Sequence, residues 1–181
     1  GNNTLTFSDI LVGEVWVCSG QSNMQWSVRV AADAELQIAS ANYPEIRLLS
    51  VPQIASQEPR DNLNGSWSIC KPQTVADFSA VAYSFGRRLH NTLGVPIGLI
   101  DNAWGGSAVE AWIPRDALEK EGEYDPLLAS WDEKAAAMTD QIFAAELAVY
   151  KKWVAGGKLG AKRREPRDSR TSNHRPANLF N

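Results

Sequence analysis

Ser22, within Gly20-Gln21-Ser22-Asn23, is the residue whose type and setting best suit covalent chemistry in this chain. It stands at the exit of a strand-like apolar run, the position where α/β hydrolytic folds tend to place a nucleophile. A serine hydroxyl attacks a carbonyl only when a base takes its proton, and the tetrahedral intermediate then needs donors aimed at its oxyanion. Backbone N–H groups at tight turns suit that task, and glycine allows close backbone approach. Ser22 offers the hydroxyl and its own N–H; Gly105 or Gly106, at the exit of another strand-like run, offers a second donor. The predicted chemistry is acyl transfer at an ester. Met24 stands where the G-x-S-x-G pattern needs its last glycine, so the sharp nucleophile elbow of that pattern is not indicated.

The elements that must position these residues follow from periodicity. A first strand is predicted over about 10–19, apolar on both faces and so buried on both. A helix over 31–41 is stopped by Asn42 and Pro44, and a second strand covers 45–51. Residues 53–73 are polar and turn-rich, with a short strand over 67–70. Phe78, Val81, Ala82, Phe85 and Leu89 share one helical face, with Asp77 or Ser79 as cap and Gly94 as terminator. A third strand covers 95–102. The strand–helix–strand–helix–strand order predicts an α/β fold, a parallel sheet with flanking helices in three layers. Ligand sites in such sheets lie beyond the carboxyl ends of the strands, so Ser22 and Gly105 should converge. Beyond Pro114 the character changes: 116–122 and 131–155 are helical by composition.

The chain has 181 residues, net charge −3 and 44% hydrophobic content, ordinary for a soluble globular domain. Residues 156–175 hold seven Lys and Arg against Glu165 and Asp168, a surplus of +5 that leaves −8 elsewhere. Such a stretch is predicted to be a solvated linker, and the overall balance argues against nucleic acid as partner. No apolar run reaches the ~18 residues of a membrane span. Cys18 and Cys70 lack C-x-x-C spacing, which disfavours zinc and dithiol chemistry; no cofactor or metal is implied. Asn2-Asn3-Thr4 and Asn64-Gly65-Ser66 fit the N-glycosylation pattern, a weak signal.

Three blocks carry a family resemblance. Asp9–Met24 (DILVGEVWVCSGQSNM) resembles the nucleophile block of the sialate O-acetylesterases, carbohydrate esterases of the SGNH hydrolase superfamily. Gly98–Trp112 (GLIDNAWGGSAVEAW) resembles their second block, and Val75–Gly86 (VADFSAVAYSFG) their intervening helix. Arg175–Asn181 (RPANLFN) looks like the segment entering the family's second half. The resemblance implies an SGNH fold with Ser22 as nucleophile, Gly105 as the first choice for oxyanion donor and Gly106 as its neighbour. It makes Gln21, Asn23, Glu110 and Trp112 candidates for sugar contact, with structural roles open for each. An O-acetylated sugar is the implied substrate, and a secreted, periplasmic or lysosomal setting the implied location.

The departures from the pattern matter as much. The family's Gln-Gly-Glu and D-x-x-H blocks do not occur here. His90 falls on the predicted helix, and His174 has Thr171 rather than Asp three positions before it; neither is assigned as base. Asp101 lacks a partner histidine. The expected organisation is the first half of an esterase domain over 1–114, a helical insertion over 115–155, a basic linker over 156–175 and the start of the second half over 176–181. A further segment or second chain is then expected to supply the Asp and His, leaving this chain nearly inert alone. Acetyl-xylan or rhamnogalacturonan esterases of the same superfamily, and a non-catalytic carbohydrate-binding remnant, are the competing readings.

Overall fold

A computed structural model describes residues 3–179, and they fall into two compact units. The first comprises the chain up to Gln53 together with Asn62–Gly105; the second comprises Ile54–Asp61 and the chain from Gly106 on.

The first unit is an α/β layer. Strands β1 (Glu14–Gly20), β2 (Tyr43–Ser50), β3 (Ser68–Cys70) and β4 (Ile97–Ala103) form one sheet in the order β1-β4-β2-β3. β4 runs parallel to both β1 and β2, and β3 adds on antiparallel to β2. Ile46, Leu48, Ile97 and Leu99 supply the sheet's part of the core. They pack with Val28 and Phe78 from the connections, with Val75 at the end of a short helix, and with Ala82 and Tyr83 from helix α4 (Ala80–Leu93). Three short helices, α1 (Ser22–Gln25), α2 (Ala34–Ala39) and α3 (Pro72–Val75), fill the connections.

α4 forms where its signals predict. The Ser79 hydroxyl caps it by accepting the Ala82 N–H at 3.1 Å, and Gly94 closes it in the left-handed conformation at φ 65°. Its close seat on the sheet depends on Gly86. A Cβ built there would stand 2.5 Å from Leu99 Cδ1, closer than packed atoms tolerate.

Two expectations are corrected here. β1 starts at Glu14, not near Ile10, and it is not buried on both faces. It is the edge of the described sheet, with Val15 62% and Val17 64% exposed. On its other face Cys18 is buried and Trp16 meets the Phe85 ring edge-on at 5.1 Å. A continuous apolar run signals two faces that favour cover, and among the described residues only one receives it. The predicted helix over 31–41 is likewise shorter, because Asp33 sits in the left-handed region and α2 begins only after it.

The second unit is helical: α5 (Arg115–Glu121), α6 (Asp125–Ala137) and α7 (Asp140–Ala155). The continuous helix expected over 131–155 breaks at Met138 and Thr139, where the Thr139 side chain caps α7. Part of the basic stretch is tied down rather than solvated. Arg170 pairs with Asp140 and Asp168, Arg175 pairs with Asp132, and Ser172 is buried. Asn178 is buried and donates to the carbonyls of Arg170 and Ser172 at 3.1 and 2.9 Å, while Gln57 donates to its Oδ1. Phe180 and Asn181, which end the expected last segment, and the Asn2 glycosylation pattern lie outside the described residues. No helix among the described residues is long and apolar enough to cross a membrane.

Candidate active site

The site is built where two parallel strands end side by side. Gly20, last in β1, is the register partner of Ala103, last in β4. The Trp104 N–H then donates to the Gly20 carbonyl at 2.9 Å, so both strand exits are held at one level. Gly20 has φ 149°, and a Cβ on it would approach Met24 Cβ at 3.3 Å; a side chain there would strain the turn.

The chain then enters α1. Both Met24 and Gln25 donate their N–H groups to the Gln21 carbonyl at 3.0 Å, and Trp26 donates to the Ser22 carbonyl at 3.0 Å. Ser22 is therefore the first residue of a one-turn helix, where an N–H has no intrahelical acceptor and remains available. Its side chain is exposed, and its Oγ has no hydrogen-bond partner among the described residues. Below the turn, Met24 packs on the core and receives the Ser79 hydroxyl at 3.6 Å. Trp26 accepts the Ala80 N–H at 2.8 Å, and Val28 donates to the Phe78 carbonyl at 3.0 Å. The Ser22 turn is thus fastened to the start of α4.

Ser22 and Gly105 converge as their strand positions require. A Cβ built on Gly105 would stand 3.4 Å from Ser22 Cα and 2.4 Å from Gln25 Oε1. The Gly105 N–H donates to that same Gln25 Oε1 at 2.5 Å. Gln25 is the neighbour of this pair that sequence reading missed. Its spacing carried the signal, since residues i and i+3 share a helical face.

The other candidates fall as follows. Gln21 and Asn23 flank Ser22 and are exposed. Gly106, in the second unit, takes φ 70°, with none of the described residues within 4 Å of a built Cβ. Also in that unit, the Trp112 indole N–H donates to Ser107 Oγ at 2.9 Å, and the Glu110 carbonyl accepts from Ala177 at 3.0 Å. His90 Nδ1 lies 2.8 Å from the Val95 carbonyl, a tie across the end of α4. The His174 backbone donates to Ser172 Oγ at 3.1 Å in the second unit.

Asp101, on β4 beside Cys18 of β1, is the perturbed acid of the first unit. Burial raises its carboxyl to about 6, and the backbone N–H groups of Ser79 and Ala103 hold it from rising further. Its Oδ1 is buried without a hydrogen-bond partner among the described residues. Burial also raises the Cys18 thiol, with the Asp101 charge adding to the effect. Both cysteines are free and buried, and burial pushes Cys70 up to about 11, so they act as small apolar side chains.

Comparison with known proteins identifies a family. The family described as carbohydrate esterase, sialic acid-specific acetylesterase matches residues 12–145. Mouse sialate O-acetylesterase is 41% identical over an alignment of 129 residues that covers 65% of this chain and 24% of that protein. The human sialate O-acetylesterase is 40% identical over an alignment of 120 residues that covers 61% of this chain and 23% of that one. A crystal structure of a carbohydrate acetylesterase from Xanthomonas citri superposes with a TM-score of 0.57 at 42% identity. That match covers 58% of this chain and 24% of the other. The chain thus spans about a quarter of the length of the curated relatives it matches.

Proposed function

Because this chain belongs to the sialic acid-specific acetylesterase family of carbohydrate esterases, we propose that it contributes the nucleophile and an oxyanion donor to a serine esterase that removes O-acetyl groups from sialic acid. Ser22 Oγ attacks the acetyl carbonyl carbon as a base takes its proton. The Ser22 and Gly105 N–H groups receive the oxyanion, with Gly106 as the neighbouring candidate. Collapse breaks the bond to the sugar oxygen, which leaves with the proton, and an acetyl-enzyme remains. Water activated by the same base then attacks it, releasing acetate and restoring Ser22.

The observation that supports this most is the convergence of Ser22 and Gly105 at neighbouring strand ends. The base is proposed to come from a further segment or second chain. The sequence has two histidines, of which His90 is tied to Val95, and His174 is not preceded by the Asp of a D-x-x-H pattern. Gln21, Asn23, Glu110 and Trp112 are proposed sugar contacts. The proposed acetylated-glycan substrate supports a secreted, periplasmic or lysosomal setting for the protein.

Treating the full-length protein with a serine-directed phosphonate and mapping the adduct tests the assignment. Labelling at Ser22, and a loss on the order of 10⁶ in turnover for Ser22→Ala, are expected. An active preparation left unlabelled at Ser22 refutes it. Profiling on acetylated sialic acid against acetyl-xylan separates the substrate classes.

A further inference from the structure

We propose that Gln25 is a built-in stand-in for the substrate: its carboxamide oxygen occupies the Gly105 donor in the unliganded site and must leave before an acyl oxygen can bind there. The inference rests on the serine-esterase reading above and adds a residue to it.

Gln25 ends the same one-turn helix that Ser22 opens. Its Oε1 accepts the Gly105 N–H, and the pair is exposed rather than locked in the core. The acceptor is an sp² oxygen on a carbon bonded to nitrogen. In shape and polarity it matches the carbonyl of an acyl group. The Gly105 backbone also lies against Ser22 Cα, so an oxygen bound to that N–H lies beside the nucleophile. One donor cannot serve both oxygens in good geometry. Substrate therefore competes with a side chain of the protein itself, and apparent affinity falls by the fraction of molecules in which the donor is open. Release needs only rotation of a flexible, exposed side chain. Gln25 thus acts as a positioning and gating residue, and it holds the donor's direction while no substrate is bound.

Steady-state hydrolysis of a chromogenic aryl acetate by the full-length protein tests this. In Gln25→Ala and in the near-isosteric Gln25→Met, KM should fall about two- to tenfold with kcat held, the range of one neutral hydrogen bond. Gln25→Glu should bind the donor more tightly once ionised, because charge-assisted bonds are roughly twice as strong. Its kcat/KM relative to wild type should therefore drop about tenfold or more as pH rises through the ordinary carboxyl range, roughly 4 to 6. A merely structural contact predicts no such pH dependence. A KM that is unchanged or raised in both neutral variants, or a flat ratio for Gln25→Glu, overturns the proposal. If Ser22→Ala retains full activity, the esterase reading itself fails, a result distinct from either of these. Where Gln25→Ala folds poorly by thermal melt, Gln25→Met and Gln25→Glu decide.

Discussion

Gly105→Ala puts the oxyanion assignment under the most direct test. No left-handed φ is required at Gly105, so alanine is admissible in backbone terms. Its Cβ would nevertheless stand 2.4 Å from the oxygen that now accepts the Gly105 N–H, and 3.4 Å from Ser22 Cα. The first distance is impossible for nonbonded atoms, but the atom met is the far end of Gln25, which can move aside. The fold should therefore tolerate the change. Thermal midpoints should differ little, because the 0.4–1 kcal/mol or so that a glycine-to-alanine change gains by restricting the unfolded chain offsets the repacking. Catalysis should not tolerate it. The methyl group would crowd the place that the Gln25 oxygen takes on that N–H, and an acyl oxygen bound in the same place would meet it too. Removing one such donor costs on the order of 10²–10³ in kcat, roughly 3–4 kcal/mol of transition-state binding. The assay is aryl acetate hydrolysis by the full-length protein, with phosphonate labelling of Ser22 as a second readout, since the phosphonate adduct carries the same tetrahedral oxygen. Both rates should fall together while the melt is unchanged. Activity within about threefold of wild type would show that Gly105 is not the donor.

Two further outcomes concern the scaffold. Asp101 has its folded-state carboxyl raised from 3.8 to about 6, so it favours the folded state when neutral. The stability it contributes is present below pH 4 and is lost as pH rises through about 6; Asp101→Asn should remove that dependence. The difference at neutral pH should be about 1–2 kcal/mol once the shift is discounted for partial solvent access, read as variant against wild-type melts from pH 4 to 8. Gly86→Ala should cost about 1–3 kcal/mol by overpacking against Leu99, and Leu99→Ala about 2–5 kcal/mol by leaving a cavity. Denaturant unfolding of the double variant should show less than the sum of the two, because the new methyl group enters the space that Leu99 vacates.

Most of the first unit was legible because its signals are local. The apolar face through Phe78, Ala82 and Leu89, the Ser79 cap and the Gly94 stop each depend on residues a turn or two away, and α4 follows them. The strand ends near Ser22 and Gly105 were legible as apolar runs closed by turn residues, and the parallel-sheet rule then brought them together. What was not legible depends on who lies next to whom. That β4 separates β1 from β2, leaving β1 at the edge, is a choice of pairing that no single run encodes. The half-buried setting of Asp101 depends on the distant Ser79 backbone meeting its carboxylate, and the Gln25 contact on a loop 80 residues away. The basic stretch misled because composition counts charges, whereas Arg170 and Arg175 find Asp140, Asp168 and Asp132 only in three dimensions.

The open flank of β1 has a bearing on how this polypeptide behaves while folding. A seven-residue strand whose outward Val15 and Val17 face solvent, with one row of main-chain groups outside the ladder, is a template for another strand. It has neither a proline within the strand nor a lysine to discourage wrong pairing. The strand that leads into the Ser22 turn is thus also an open template for edge-to-edge pairing. Whatever covers that flank first, before a neighbouring molecule can, decides between a soluble protein and an aggregate.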